Sequence, residues 1–172
     1  IIYPIHPNAD SILGFKAYPS VRDVPGEVDL VILSIPLKFV LPVMADCVAR
    51  GVKFVHMFTA GFSETGRAET AEIEQEILAV ARKNGIRIIG PNCMGVYCPE
   101  GGISFQGYFP SKPGPVGFVS QSGSIVNGFV EKGVNQGLNF SKIVSFGNAG
   151  DLQPQDFLAY LGQDPKTEVI GS

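Results

Sequence analysis

The segment V-G-F-V-S-Q-S-G-S, Val116 to Ser124, decides how the rest of the chain is read. Val116, Phe118 and Val119 make an apolar run the length of a short buried strand. A polar turn follows, and from about Ser122 the spacing of Ile125, Val126, Phe129 and Val130 predicts a helix that stops at Gly133. Where a parallel strand turns into a helix, the first helical turn directs unpaired N–H groups and partial positive charge outward, and open α/β sheets bind ligands there. Gly123 lets an anion approach the backbone and Ser122 and Ser124 add hydroxyls, which suits phosphate. The same residues serve equally as an N-cap at Ser122 flanked by turn-forming serines, so this stretch alone leaves both readings open.

Working outward, strand and helix patterns alternate. Ile1 to Tyr3 reads as a strand, followed by a turn-rich segment containing Pro7, Asn8, Gly14, Pro19, Pro25 and Gly26. Asp29 to Ile35 is a continuous apolar run of the kind expected for a strand covered on both faces. A helix from about Phe39 to Arg50 ends at Gly51, with Pro42 tolerated in its first turn. Lys53 to Phe58 is the next strand. A helix from about Thr70 to Asn84 presents Ile73, Ile77, Val80 and Ala81 on one face, with Glu69, Glu72, Glu74 and Glu76 near its start and Arg82 and Lys83 at its end, as the macrodipole favours. Arg87 to Ile89 is a further strand. Pro99 to Pro115 is rich in glycine and proline without a sustained period and reads as a linker. Beyond Val116 to Gly133 come a strand at Lys142 to Phe146, a loop at Gly147 to Asp151, a helix from Pro154 to Leu161 ending at Gly162, and the beginning of a strand at Glu168 to Ile170. Such alternation implies parallel sheets joined by right-handed crossovers. The expectation is α/β, with two doubly wound units in series: residues 1–108 and 113–172.

Composition narrows the partners. The 172 residues are 45% hydrophobic with a formal net charge of -3, and no basic cluster offers a footprint for nucleic acid. The apolar stretch Val28 to Val48 is interrupted by Asp29, Pro36, Lys38, Pro42 and Asp46, which argues against a membrane span. Three cysteines, Cys47, Cys93 and Cys98, form no C-x-x-C pair, which argues against a disulfide framework or a metal site and for a reducing cytoplasm. The chain opens without methionine inside an apparent strand and stops just after Val169 and Ile170, so an internal piece of a longer protein is expected.

Neither G-x-G-x-x-G after a strand nor G-x-x-x-x-G-K-[ST] occurs. Three turns would lie together at the carboxyl edge of the first sheet, where such folds hold small molecules: Ser34-Ile35-Pro36, Phe58-Thr59-Ala60 running on to Gly61, and Gly90 to Gly95 with Asn92, Cys93 and Met94 at its centre. Each is also compatible with ordinary turn chemistry. Cys93 lacks a recognisable base partner and is a poor candidate nucleophile. His6, beside Pro7, and His56, inside an apolar strand, read as structural.

Five short motifs occur in order: A-G-F-S-E at Ala60 to Glu64, G-P-N-C-M-G at Gly90 to Gly95, S-Q-S-G-S at Ser120 to Ser124, G-N-A-G-D at Gly147 to Asp151, and D-P-K-T at Asp164 to Thr167. Together they resemble the CoA-binding and ligase domains of the nucleoside-diphosphate-forming acyl-CoA synthetases, relatives of the succinyl-CoA synthetase alpha subunit, over essentially the whole chain. The resemblance implies a Rossmann-like CoA-binding domain lacking its first strand, then a truncated flavodoxin-like ligase domain. It places Ser34, Ile35, Pro36, Phe58, Thr59, Ala60, Asn92, Cys93 and Met94 along CoA, and Ser122, Gly123 and Ser124 around a phosphoryl group. It further implies an acid-thiol ligase reaction through an acyl phosphate and a phosphohistidine. That histidine is expected beyond Ser172, so no catalytic residue is expected within this piece. The ATP or ADP and Mg2+ would sit outside it, on an ATP-grasp subunit or domain of the same enzyme.

Two departures stand out. Asn8 and Ala9 occupy places where a basic residue often lies, and Asn127 stands where the succinate enzymes carry tyrosine. The competing expectations are a non-catalytic CoA-binding regulatory module, as fused to some protein acetyltransferases, and a flavodoxin-like or NAD-binding module.

Overall fold

A computed structural model describes all of residues 1–172. Its first elements are β1 (Ser11–Ile12) and β2 (Phe15–Lys16), a hairpin whose turn residues Leu13 and Gly14 both have positive φ, as a two-residue turn between twisted strands requires. The strand expected at Ile1 to Tyr3 is absent. Ile1 and Ile2 are exposed, and the segment meets a strand neighbour only through an isolated bridge from Ile5 to Tyr18.

The first sheet consists of β3 (Leu30–Leu33), β4 (Phe54–Met57) and β5 (Arg87–Ile89), all parallel and in the order β3-β4-β5. Helix α1 (Val40–Arg50) joins β3 to β4 and α2 (Ala68–Lys83) joins β4 to β5. Gly51 closes α1 in the left-handed conformation, φ 67°. Val31, Leu33, Val55, Met57 and Ile88 point to one face and bury Val40, Met44 and Cys47 of α1 with Ile77, Leu78 and Ala81 of α2.

The opposite face corrects the expectation of a strand covered on both sides. Leu30, Ile32 and Phe54 are exposed there, Ile32 to 53%. The strands advance in one direction, so right-handed crossovers put both helices on the same side. The place of Glu74 near the start of α2 is as expected, but it is also buried, and its carboxylate accepts the Ser63 N–H at 2.9 Å.

The second sheet contains β6 (Gly95–Tyr97), β7 (Pro113–Ser120), β8 (Phe140–Ser145) and β9 (Val169–Gly171) in the order β6-β8-β7-β9. β7, β8 and β9 are parallel; β6 runs antiparallel to β8. Helix α3 (Gly123–Asn135) leads from β7 to β8, and α4 (Pro154–Gln163) leads from β8 back past β7 to β9. Because the chain reverses direction, the two helices fall on opposite faces. Val126 and Val130 of α3 pack with Phe118, Phe140 and Ile143, whereas Phe157 and Leu161 of α4 pack with Val119 and Val144. The doubly wound α/β expectation holds for this unit.

Three boundaries differ from the sequence reading. α3 continues through Gly133, which lies inside the helix where a Cβ would come within 2.8 Å of the Phe140 ring; the chain turns at Gly137, φ 83°. α4 likewise runs through Gly162 and is capped at Asp164. Residues 99–115 are more than a linker. Phe109 is buried against Tyr97, whose hydroxyl donates to the Pro110 carbonyl at 2.5 Å, and β7 already begins at Pro113. The chain passes from one sheet to the other at Met94–Gly95. No helix is long and apolar enough to cross a membrane.

Candidate functional site

The three turns singled out from the sequence follow β3, β4 and β5 and are bonded into one ledge. The Thr59 hydroxyl donates to the Ile35 carbonyl at 2.7 Å and accepts the Ile35 N–H at 3.4 Å, while the Asn92 N–H donates to the Thr59 carbonyl at 3.0 Å. Ser34, Pro36 and Ala60 are exposed, and Ile35, Phe58, Asn92 and Met94 are half-buried. Thr59 and Cys93 are buried beneath them. The Cys93 thiol faces the carbonyls of Met57 and Ile89 at 3.6 and 3.5 Å, and burial pushes its pKa up to about 12. A thiol held neutral in this way does not act as a nucleophile. Thr59 and Cys93 therefore shape the ledge, and the exposed surface comes from their neighbours.

His56 sits under the ledge on β4. It is 5% exposed, its ring lies 4.4 Å from that of Phe58, and a side chain at Gly95 would overlap it. Burial lowers its pKa to about 4, and its Nε2 has no partner. This is a neutral, packed histidine.

The tip of α3 stands beside the ledge. Ser122 is the N-cap, its hydroxyl accepting the Ile125 N–H at 3.4 Å, which realises the capping reading. By helix geometry the Gly123 and Ser124 N–H groups still lack intrahelical acceptors. Ser124 is exposed, and Ser122 and Gly123 are half-buried. Met94 packs directly on Gly123, where a Cβ would overlap its side chain, so the third turn of the ledge touches the helix tip. The turn before α3 is fixed in turn by Phe146 N–H to Ser120 O at 3.0 Å and Gly147 N–H to Gln121 O at 3.2 Å, and Met94 N–H reaches the Ser145 hydroxyl at 3.3 Å.

G-N-A-G-D forms the seam between the sheets. Asn148 and Gly150 donate their N–H groups to the Pro91 and Gly90 carbonyls, each at 2.9 Å, and Leu152 donates to Ile88 at 3.2 Å. Asp151 accepts from Ile88 N–H at 2.8 Å and from the Arg87 guanidinium at 2.9 Å. Glu64 joins this seam. Its carboxylate accepts the Gly61 N–H at 2.5 Å, the Phe62 N–H at 3.1 Å and the Asn148 side-chain amide at 2.6 Å. Burial works to raise the Glu64 pKa, but these hydrogen bonds outweigh it and hold the carboxyl below its ordinary range. Asn148 also accepts from the Asn92 side chain at 3.3 Å. Sequence reasoning placed Glu64 in a motif without giving it work; the signal was a carboxylate beside a glycine turn whose N–H groups need an acceptor.

D-P-K-T lies elsewhere and is a structural lock. Asp164 takes Lys142 at 2.7 Å and the Thr167 hydroxyl at 2.8 Å, with Lys142 the main cause of its lowered pKa. His6 is exposed, its ring accepting the Asn8 N–H at 3.2 Å.

Residues 1–99, which contain the whole ledge, match the CoA binding domain family. The chain belongs to that family. After this CoA binding domain, residues 113–172 match the succinyl-CoA ligase like flavodoxin domain. The chain is 40% identical, over 98% of its length, to the acetate–CoA ligase [ADP-forming] II subunit alpha of Pyrococcus furiosus, and 41% identical, over 99%, to the acetate–CoA ligase [ADP-forming] II of Archaeoglobus fulgidus. It superposes with a TM-score of 0.89 and 39% identity on the dinucleotide forming acetyl-coenzyme A synthetase 1 of Ca. Korarchaeum cryptofilum, solved in complex with phosphate and ADP, covering 98% of this chain. The chain spans 37%, 26% and 36% of the length of these three relatives. The fold thus joins a Rossmann-like CoA-binding unit to a flavodoxin-like one.

Proposed function

We propose that this chain is the CoA-holding and phosphoryl-receiving part of an acyl-CoA synthetase of the nucleoside-diphosphate-forming kind. The observation that carries the reading is the contact of Met94 with Gly123, which brings the ledge of the CoA binding domain against the open N-terminus of α3. In this reading residues 1–108 hold CoA along Ser34, Ile35, Pro36, Phe58, Ala60, Asn92 and Met94, with Thr59 and Cys93 supporting them from below. Residues 113–172 hold the phosphoryl group at Ser122, Gly123 and Ser124.

The chemistry follows from that placement. Phosphate oxygen attacks the acyl thioester carbonyl, the C–S bond breaks, and CoA leaves as the thiol with the proton that phosphate gives up. The acyl phosphate then passes its phosphoryl group to a histidine, releasing the carboxylate, and the histidine passes it to ADP. While the acyl phosphate forms and gives up its phosphoryl group, the negative charge lies at the α3 tip, where N–H groups and the helix dipole stabilise it without reorganisation. Neither His6 nor the sealed His56 is placed to receive the phosphoryl group, so the histidine belongs to polypeptide outside this chain. So do the ATP-grasp partner and the Mg2+ and nucleotide it would bind. The three free cysteines, with no C-x-x-C pair, support a reducing cytoplasm as the setting of this chain.

The test is calorimetric titration of the 172-residue chain with CoA, with NAD as control. Saturable binding of CoA but not NAD, weakened by Asn92→Ala, is the expected result. No CoA binding, or tighter binding of NAD, overturns the reading.

A further inference from the structure

Two sheets that share one site must be held at a fixed spacing, and the seam between them contains one carboxylate that reaches from the first unit to a side chain of the second. Glu64 stands in the turn after β4, where the Gly61 N–H holds its Oε1 and the Phe62 N–H its Oε2. Its free lone pairs take the Asn148 amide, whose oxygen takes Asn92 of the ledge. Asn148 is also the residue whose backbone N–H lies on Pro91, just before the chain turns toward Met94 and the α3 tip.

We propose that Glu64 is a positioning residue: by holding the Asn148 side chain it latches the Gly147–Asp151 segment onto the ledge, and so sets the register between the CoA turns and the α3 tip. The purpose of the latch rests on the CoA reading above; its existence does not. Three features favour a latch over an ordinary turn contact. The carboxylate is shared between donors of both units. Asn148 is committed on both ends, its donor to Glu64 and its acceptor to Asn92. The backbone bonds from Asn148 and Gly150 to Pro91 and Gly90 lie directly under it, so they open together if it lets go.

The polarity of the pair makes it testable by exchange of roles. Asn148→Asp sets a carboxylate against a carboxylate. Glu64→Gln sets amide donor against amide donor. The double variant E64Q/N148D turns the new amide donor at position 64 toward the new carboxylate at position 148, keeps the net charge, and leaves that carboxylate able to accept from Asn92; because the Phe62 N–H shares Oε2 with Asn148 in the parent and loses its acceptor, the rescue is partial. Amide hydrogen exchange at Asn148 and Gly150 reads the latch; exchange in α1 and α2 reads the fold of the first unit. Asn148→Asp is expected to speed exchange at those two amides by about tenfold, Glu64→Gln by about threefold, and the double variant to fall back to about threefold, below Asn148→Asp alone, with α1 and α2 unchanged throughout. Unchanged exchange in both single variants, or a double variant as fast as the worse single, overturns the proposal. Should Asn148→Asp not fold, Glu64→Gln alone decides: parental exchange at both amides overturns the latch. CoA titration of the parent chain separates the two readings. A latch that behaves as expected in a chain that ignores CoA overturns the function and not the latch; CoA binding with no exchange effect does the reverse.

Discussion

The first sheet is walled by helices on one face and open on the other, whereas the second is walled on both. The difference arises from strand order alone. β3-β4-β5 advances steadily, so α1 and α2 share a face; β8-β7-β9 doubles back, so α3 and α4 oppose each other. The open face is not uniformly exposed. Near β3 it shows Leu30 and Ile32 to solvent, but near β5 it is closed by the second unit, where Ile89 packs against the cluster of Val119, Val144, Phe157 and Leu161 and Gly95 lies on the His56 ring. The second unit therefore supplies part of the first unit's missing wall, and the ledge sits where that closure begins.

The largest test of this contrast removes a side chain from the doubly covered sheet. Phe140 is fully buried between the Phe129 ring and Tyr97, and Phe140→Ala should cost about 3–5 kcal/mol in urea unfolding, through lost transfer energy and an unfilled cavity. A loss under about 1 kcal/mol would show that this core collapses freely around the gap.

A smaller effect belongs to the closed end of the open face. The His56 pKa is lowered by burial from 6.5 to about 4, so between those values the unfolded chain binds the extra proton and the folded one does not. Stability is then fully present above the unfolded pKa and falls as the pH drops toward 4, by about 3 kcal/mol in all. His56→Phe should flatten that acid limb in melts taken from about pH 7 down to about pH 4, whereas an unchanged limb would show that the ring is hydrated rather than sealed by Gly95.

The smallest effect is expected at the other end. Ile32→Thr, on the uncovered part of β3, should change stability by less than about 0.5 kcal/mol in urea unfolding, because the side chain it replaces has no wall to pack on. A loss above about 1 kcal/mol would mean that this face is covered in solution.

Much of this was legible in the linear pattern. Val116 to Ser124 read as strand, cap and helix almost residue for residue, and the glycines Gly51 and Gly85 marked real chain turns. Gly133 misled because a glycine that lets a neighbour approach is indistinguishable in sequence from one that ends a helix; the Phe140 ring against Gly133 is a contact between elements, whereas Gly162 has open space around it and nothing in the structure explains its place inside α4. β6 was invisible because a short run beginning with Gly95 becomes a strand only when β8 lies alongside. The three turns of the ledge were found, but not that Thr59 and Cys93 lie beneath its surface, since exposure depends on what stacks above.

By itself the chain's order of apolar runs and punctuating residues determined the helices and the longer strands, though not β1, β2 or β6, that parallel crossovers join them, and which turns gather at one sheet edge, because those properties follow from local periodicity and backbone geometry. Only the tertiary structure decided which faces are covered, that Met94 meets Gly123, and that Glu64 reaches Asn148 across 84 positions of sequence. Such pairings depend on how two finished sheets dock, and no local preference encodes that.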